Sequence, residues 1–304
     1  MAYRKNKDGS FSYYTKKYTR TQHIIQKDWF KENGYKVNQY PKEFYEYVER
    51  KLSPGFRAYW ALAIDGDGNV HERKKNKNNH EVSFSLADRE PVQYLADLYK
   101  SSISLITFPS EAWRDVYRVS LQGQRCFHFL KLICPYMIEK KQAVINMINR
   151  KEPNYHPPKI SMNFKKHPEL LTLHMGMVAG FFDTEGSVGL QLYIQKRKTK
   201  TKGIRRHSIY NQWLHFTNTD LRPLRKIKKI LETLPFTFKP TITVDKTKLL
   251  KKNGKPQKLR YKLSIPNNQH ILFLALFEPI IMIQRKSAVL ERLKLKKRIY
   301  EMIK

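Results

Sequence analysis

Cysteine is nearly absent: 304 residues carry two, Cys126 and Cys134, and neither has a second cysteine or a histidine at zinc-ligand spacing. A disulfide framework and a cysteine-based zinc site are both excluded. The two thiols are expected to be buried and reduced. Long apolar runs are missing as well. The opening residues MAYRKNKDGSFSYY hold no apolar stretch that could form the core of a signal peptide. The longest apolar run, 271–283, is broken by Glu278 and Pro279 and falls short of the ~20 residues that cross a bilayer. The expectation is a soluble intracellular protein with no membrane partner, since no amphipathic basic helix offers an anchor either. Acid is the scarcest thing of all. Asp plus Glu number 26 against 59 Lys plus Arg, a formal net charge of +33, which excludes an ordinary metabolic enzyme and demands a polyanionic partner, nucleic acid first.

Apolar residues are not lacking: 40% of the chain is hydrophobic and 12% aromatic, enough for real cores and too much for a disordered tail. At this length two modules are expected, and a weak tandem repeat supplies them. One copy begins at YWALAIDGDGNV, 59–70, and the other at MVAGFFDTEGSV, 177–188, their final acids at 67 and 185 lying 118 positions apart. Further on, YRVS at 117–120 answers YKLS at 261–264, and CPYMIEKKQA at 134–143 answers EPIIMIQRKSA at 278–288, now 144 positions apart. The second copy therefore carries about 26 additional residues, mostly polar. Within each copy the periodicity reads as helix, two strands, helix, two strands, helix. In the first, Val92, Leu95, Ala96 and Leu98 fit a helical face; in the second, Leu224, Ile227, Ile230, Leu231 and Leu234 do. The domains expected are an N-terminal extension, 1–53, with a helix at PKEFYEYVERKL; a first repeat, 54–150; a proline-bearing linker, 151–169; and a second repeat, 170–304.

Each copy opens with a short apolar helix ending at an acid followed by glycine: Asp67-Gly68 and Glu185-Gly186. Glycine there is expected to be the left-handed cap that ends many helices. The acid sits at the negative end of the helix dipole, unfavourable by about 0.3 to 1 kcal/mol, and a chain so rich in lysine had other choices. Choosing an acid twice implies that a cation arrives. If the two helices lie side by side, eased by Ala58, Ala61, Gly176, Ala179 and Gly180, both carboxylates converge and can hold hard divalent ions. Such ions activate water and offset charge in phosphodiester hydrolysis. A single Asp-Gly-Asp-Gly is ordinarily a polar turn; repetition in register is what favours chemistry.

WALAIDGDG and VAGFFDTEG, with the closing segments PYMIEKKQA and PIIMIQRKSA, resemble the double-motif, monomeric LAGLIDADG homing endonucleases over about residues 55–304. The resemblance implies an α+β fold of two pseudo-symmetric αββαββα repeats, their antiparallel sheets forming a saddle over the major groove of double-stranded DNA. It implies metal-dependent cutting of both strands of a long site, with Mg²⁺ or Mn²⁺ held by Asp67 and Glu185 and by the backbone carbonyls of Gly66 and Thr184. It places a basic residue near the scissile phosphate at Lys140, with Lys141 beside it. Counted from Pro279 the second-half equivalent is Gln284, so Lys286 or Arg285 must serve instead. Water-orienting groups fall near Asp88 and Asp220, which are equally N-cap positions. Trp60 and Leu62 depart from the small residues the motif carries at the helix contact.

Basic hairpins are the DNA-contact candidates: Arg73, Lys75 and Lys77 in the first copy; Lys196, Arg197, Lys198, Arg205, Arg206, Lys258 and Arg260 in the second. Arginine among these can donate two bonds to guanine. His156, His167, His174, His207 and His215 form no ligand pair, and the aromatics Phe11, Tyr13, Tyr14, Trp29 and Phe30 are expected to pack the extension onto the first half. Two rival readings stand beside DNA cleavage by intron homing: an intron maturase, with intron RNA as partner, and a DNA-binding regulator that has lost catalysis. A composition heavy in Lys, Asn, Ile and Tyr suits an AT-rich genome, which points to an organelle, chloroplast or mitochondrion.

Overall fold

In the computed structural model the described residues are 2–5, 11–18, 32, 34, 40–72, 80–107, 114–160, 170–199, 203–236, 238–245, 259–283, 286, 288 and 289, with backbone alone at 2–5, 11–18, 72, 190–199, 203–210 and 245. The chain divides into two compact units, Met1–Ile160 and Ser161–Lys304.

The first unit runs β1 (Ala2–Lys5), β2 (Phe11–Tyr18), α1 (Lys42–Lys51), α2 (Pro54–Asp67), β3 (Gly68–Glu72), β4 (His80–Leu86), α3 (Arg89–Leu98), β5 (Ile103–Thr107), β6 (Val116–Gln122), α4 (Gly123–Ile133), a 3₁₀ turn (Cys134–Tyr136) and α5 (Lys141–Asn149). The second runs α6 (Leu171–Glu185), β7 (Gly186–Thr199), β8 (Gly203–Asn218), α7 (Leu221–Thr233), β9 (Thr241–Asp245), β10 (Arg260–Ser264), a 3₁₀ turn (Asn267–Gln269) and α8 (His270–Phe277). The sheet orders are β1-β2-β5-β6-β4-β3 and β7-β8-β10-β9, with every pairing antiparallel. The run β3-β4-β6-β5 has the topology of β7-β8-β10-β9. The fold is α+β, and its two αββαββα repeats are those the sequence predicts. What the sequence did not disclose is the hairpin β1-β2 in the extension, which adds two strands to the first sheet by pairing β2 with β5, Thr15 opposite Thr107 and Tyr18 opposite Ser104.

Local chemistry explains where the motif helices start and stop. Ser53 caps α2 by accepting from the Phe56 N–H at 3.5 Å, and Pro54 occupies the first turn, where its missing N–H costs nothing. From Ala58 to Asp65 every residue of α2 is buried, and α6 is buried from Met177 to Asp183. Helices apolar on all sides belong inside a fold. Trp60 is fully buried among Tyr59, Phe84, Tyr94 and Phe129, all of its own unit; cutting it to alanine would cost about 3–5 kcal/mol.

Gly68 and Gly186 correct the expectation of left-handed caps. Their φ angles are −77° and −81°, ordinary extended backbone. Glycine is needed there for space: a Cβ on Gly68 would stand 2.6 Å from the Ile64 Cα and carbonyl oxygen, and one on Gly186 would overlap the Phe182 ring and carbonyl. The strand leaves each helix by folding tightly against its last turn.

In both sheets one face is apolar and carries helices. In the first unit it holds Val82, Phe84, Leu86, Ile103, Val119 and Leu121; in the second, Leu214, Phe216 and Leu263. Phe84 meets Trp60 of α2, and Phe216 meets Phe181 and Phe182 of α6. Strand alternation turns the intervening residues to the opposite face.

Candidate functional site

The end of each motif helix is tied to the segment that closes its repeat, by the same pair of residue types. In the first unit the Asp65 carboxylate, 1% exposed, accepts from the backbone N–H groups of Ile138 at 2.5 Å, Glu139 at 3.2 Å and Lys140 at 2.9 Å. Those amides lead into α5, so Asp65 holds the entry to a helix to which it does not belong. Burial pushes its carboxyl pKa up, against the three N–H bonds and the Lys140 charge that favour the ionised form. In return the Lys140 ammonium donates to the carbonyls of Ile64 at 2.6 Å, Asp65 at 2.5 Å and Gly68 at 2.9 Å, with Gly66 farther away at 3.4 Å. In the second unit Asp183, 2% exposed, accepts from the Met282 N–H at 2.8 Å. Lys286, 8% exposed, donates to Phe182 at 2.5 Å, Asp183 at 2.8 Å and Gly186 at 2.7 Å.

Of the two residues named in place of Gln284, Lys286 takes the position of Lys140 in the second unit, because the repeats slip by two residues between Met282 and Lys286. One expectation changes. The cation that the acid at the helix end calls for is already present. A lysine ammonium sits on the last carbonyls of α2 and α6, where positive charge is favoured by about 0.3–1 kcal/mol. The dipole argument by itself therefore no longer requires a metal.

Asp67 and Glu185 remain as the last residues of α2 and α6. Asp67 is exposed and Glu185 half-buried. Beside them, the Thr184 hydroxyl donates back into its own helix, to Gly180 at 3.2 Å and Phe181 at 3.4 Å. The oxygen donors gathered at each helix end are hard ligands suited to Mg²⁺ or Mn²⁺. Among the described residues no three His, Cys, Asp or Glu side chains cluster as a ready-made site.

Of the other predicted positions, Asp220 is the N-cap of α7: it accepts from the Arg222 N–H at 2.8 Å and pairs with the Arg222 guanidinium, whose hydrogen bonds hold its pKa below the usual carboxylate range. Asp88 is the N-cap residue of α3. The Lys141 ammonium donates to the Pro135 carbonyl at 3.0 Å. Arg73, Lys75, Lys77, Lys258, Gln284 and Arg285 lie outside the described residues, as do Trp29 and Phe30. Lys196, Arg197, Lys198, Arg205 and Arg206 are on the two strands of a hairpin: Lys196 pairs with Arg206, Arg197 with Arg205 and Lys198 with Ile204. From Gly189–Trp213 to Thr199–Gly203, β7 and β8 form a two-stranded ribbon, roughly 35 Å long at ~3.3 Å per residue.

The polar sheet faces hold groups that the search for basic runs missed. Asn69, His71, Glu81, Ser83, Ser85, Ser104, Arg118, Ser120 and Gln122 share one face of the first sheet by register. Arg118 donates to Ser83 at 2.9 Å and Gln122 to Glu81 at 3.3 Å. In the second sheet Ser187, His215, Thr217, Thr243 and Lys262 share a face with Arg260, a residue already picked from the sequence, and Arg260 is exposed. Strand alternation of polar with apolar residues was the signal available in the sequence. Cys126 and Cys134 are buried free thiols with pKa pushed up to about 12 and about 11 by burial, which leaves them unreactive.

No family model matches the chain, and no curated protein matches it in sequence. Among solved structures it is similar to a mesophilic variant of the homing endonuclease I-DmoI, at 16% identity over 74% of this chain and 95% of that one, TM-score 0.40. It is similar to the LAGLIDADG meganuclease I-AabMI bound to uncleaved DNA, at 13% identity over 81% and 91%, TM-score 0.48. A third is the meganuclease I-SmaMI bound to uncleaveable DNA, at 11% over 81% and 89%, TM-score 0.42. Another I-DmoI structure holds DNA and Mn.

Proposed function

We propose that this chain is a site-specific endonuclease of the LAGLIDADG homing type, acting as a monomer on both strands of a long double-stranded DNA site. The observation that carries the reading is the duplication of one device: in each repeat a buried helix delivers an acid, Asp67 or Glu185, to the same place in the same topology, ahead of a strand with a polar face. A regulator that merely bound DNA would have no use for a carboxylate at that place in both repeats of a chain of net charge +33. Asp67 and Glu185, with the carbonyl of Gly66 and that of Thr184, are the groups that would hold Mg²⁺ or Mn²⁺. Bound divalent metal supplies an activated water and offsets charge on the phosphorane. The chain's own residues do the rest. The arginines and lysines of the β7-β8 ribbon and Arg260 meet phosphates and base edges, and the polar sheet faces fix register on the duplex. The AT-suited composition supports an intron in an organellar genome as the source.

The test pairs cleavage with binding. Asp67→Asn and Glu185→Gln keep size and remove an anionic ligand, so plasmid cutting should collapse in each. At most a nick on one strand should remain, while gel-shift affinity in Ca²⁺ survives or tightens because a charge that repels phosphate has gone. Wild-type double-strand cutting by either variant would overturn the assignment.

A further inference from the structure

We propose that Asp65 with Lys140, and Asp183 with Lys286, are positioning residues that fix Asp67 and Glu185; the proposal rests on reading those two acids as the cleavage acids. An ammonium has three N–H donors. Lys140 has carbonyls of Ile64, Asp65 and Gly68 within 2.9 Å, and Lys286 has those of Phe182, Asp183 and Gly186 within 2.8 Å. Three donors on three carbonyls leave no N–H for a phosphate in this arrangement. The carbonyls bracket the acid on both sides: two come from the last turn of the helix, and one from the glycine that follows the acid. Each ammonium thereby staples the helix end to the first strand residue, with Asp67 or Glu185 on the short span between.

The carboxylate works in the opposite direction. Asp65 and Asp183 hold the amides at 138–140 and 282, which fixes the segment from which the lysine is delivered. Acid and lysine thus cross between the same two pieces of chain, the lysine on the C-terminal carbonyls of the helix and the acid on backbone amides of the closing segment. Asp65, Asp183 and Lys286 are buried and Lys140 half-buried; such groups are rare inside a fold unless paired, and the same crossing occurs in both repeats despite the two-residue slip. Packing alone would be met by apolar residues. What the crossing adds is a fixed position for the residue between the stapled carbonyls, and a misplacement of ~1 Å can cost on the order of 100-fold in rate.

The test uses Lys140→Met, which keeps the stem and removes the ammonium, and Asp65→Asn as an independent second variant. Amide hydrogen exchange of the metal-free protein should rise at least about tenfold at residues 66–69, with α3 and α4 unchanged. With saturating DNA, the Mg²⁺ concentration for half-maximal cleavage should rise about tenfold, and the maximal rate should return at high metal. A maximal rate lost at every metal concentration, with exchange at 66–69 as in the wild type, would make Lys140 a group in direct contact with the reaction and overturn the proposal. A rise in exchange spread evenly over the first unit would overturn it too, by making the pair ordinary core. Should the wild type not cut DNA at all, the cleavage reading fails, and the exchange measurement still decides the staple.

Discussion

Replacing Gly68 with alanine tests whether the backbone beside Asp67 has to stay where it is. The added methyl would lie 2.6 Å from the Cα and carbonyl oxygen of Ile64, whereas ordinary contact begins at 3.4 Å, so the helix end and the strand start must separate by about 0.8 Å. Both clashing atoms are backbone and neither can rotate away. Overpacking of this kind costs about 1–3 kcal/mol. Gly123 provides the control in the same unit. Its φ is +57° and a Cβ there would meet nothing within 4 Å, so Gly123→Ala carries only the left-handed backbone cost of about 1–2 kcal/mol. Urea denaturation should give similar losses for the two variants. Cleavage, assayed at a temperature where both remain folded, should fall on the order of 100-fold for Gly68→Ala, because the acid's neighbour has moved, and stay near wild type for Gly123→Ala. Equal activities in the two variants would refute the argument that the glycine serves the acid's position.

Binding to duplex DNA should weaken steeply with salt, since at least roughly 6 phosphate contacts give a slope near −0.9 per contact in log K against log salt; a slope shallower than about −3 would rule out an extended interface. Excising residues 197–205 and joining Lys196 to Arg206 through Asn-Gly keeps the ribbon's register. Footprints should then retreat at one end of the site only, and an unchanged boundary would make the ribbon tip a bystander. His128, His174 and His270 have pKa values pushed below the ordinary 6.5 by burial. The unfolded chain therefore takes up their protons first as pH falls. Their contribution to stability is full above pH 6.5 and is lost through the lowered folded-state values. The melting temperature should drop between pH 7.5 and 5.5, and less so for His128→Gln; a flat profile would contradict the assignment.

The repeat was legible because its signals are local and dense: the period of α7, the alternation in β4 and β6, and acid-glycine pairs at two helix ends. The buried sets of α3 and α7 were read correctly from spacing alone, and Trp60 and Leu62 were noticed as large for their positions. Asp65 and Asp183 escaped notice, although they stand two residues from the acids that were picked. Nothing in a linear pattern distinguishes an aspartate facing solvent from one facing three amides more than 70 residues further along the chain. Lys140 was located by resemblance, but its partners are carbonyls, which every residue has and no sequence advertises. Its counterpart could be narrowed only to Lys286 or Arg285, because a two-residue slip leaves composition unchanged. Strands β1 and β2 were missed for another reason: short runs mixing Tyr, Lys and Ser alternate too weakly to declare a face.

That N-terminal hairpin alters how the first sheet ends. Strand β5 reads Ile-Ser-Leu-Ile-Thr, five residues without charge, and β2 occupies its outer side. The equivalent strand β9, Thr-Ile-Thr-Val-Asp, has no further strand beyond it among the described residues, and Val244 is 43% exposed. The two repeats thus protect equivalent borders by different means, one by a covering strand and the other by brevity and a closing aspartate. A chain trimmed of its first 18 residues would present β5 as a bare, uncharged template for pairing with its neighbours, and would trade solubility for compactness.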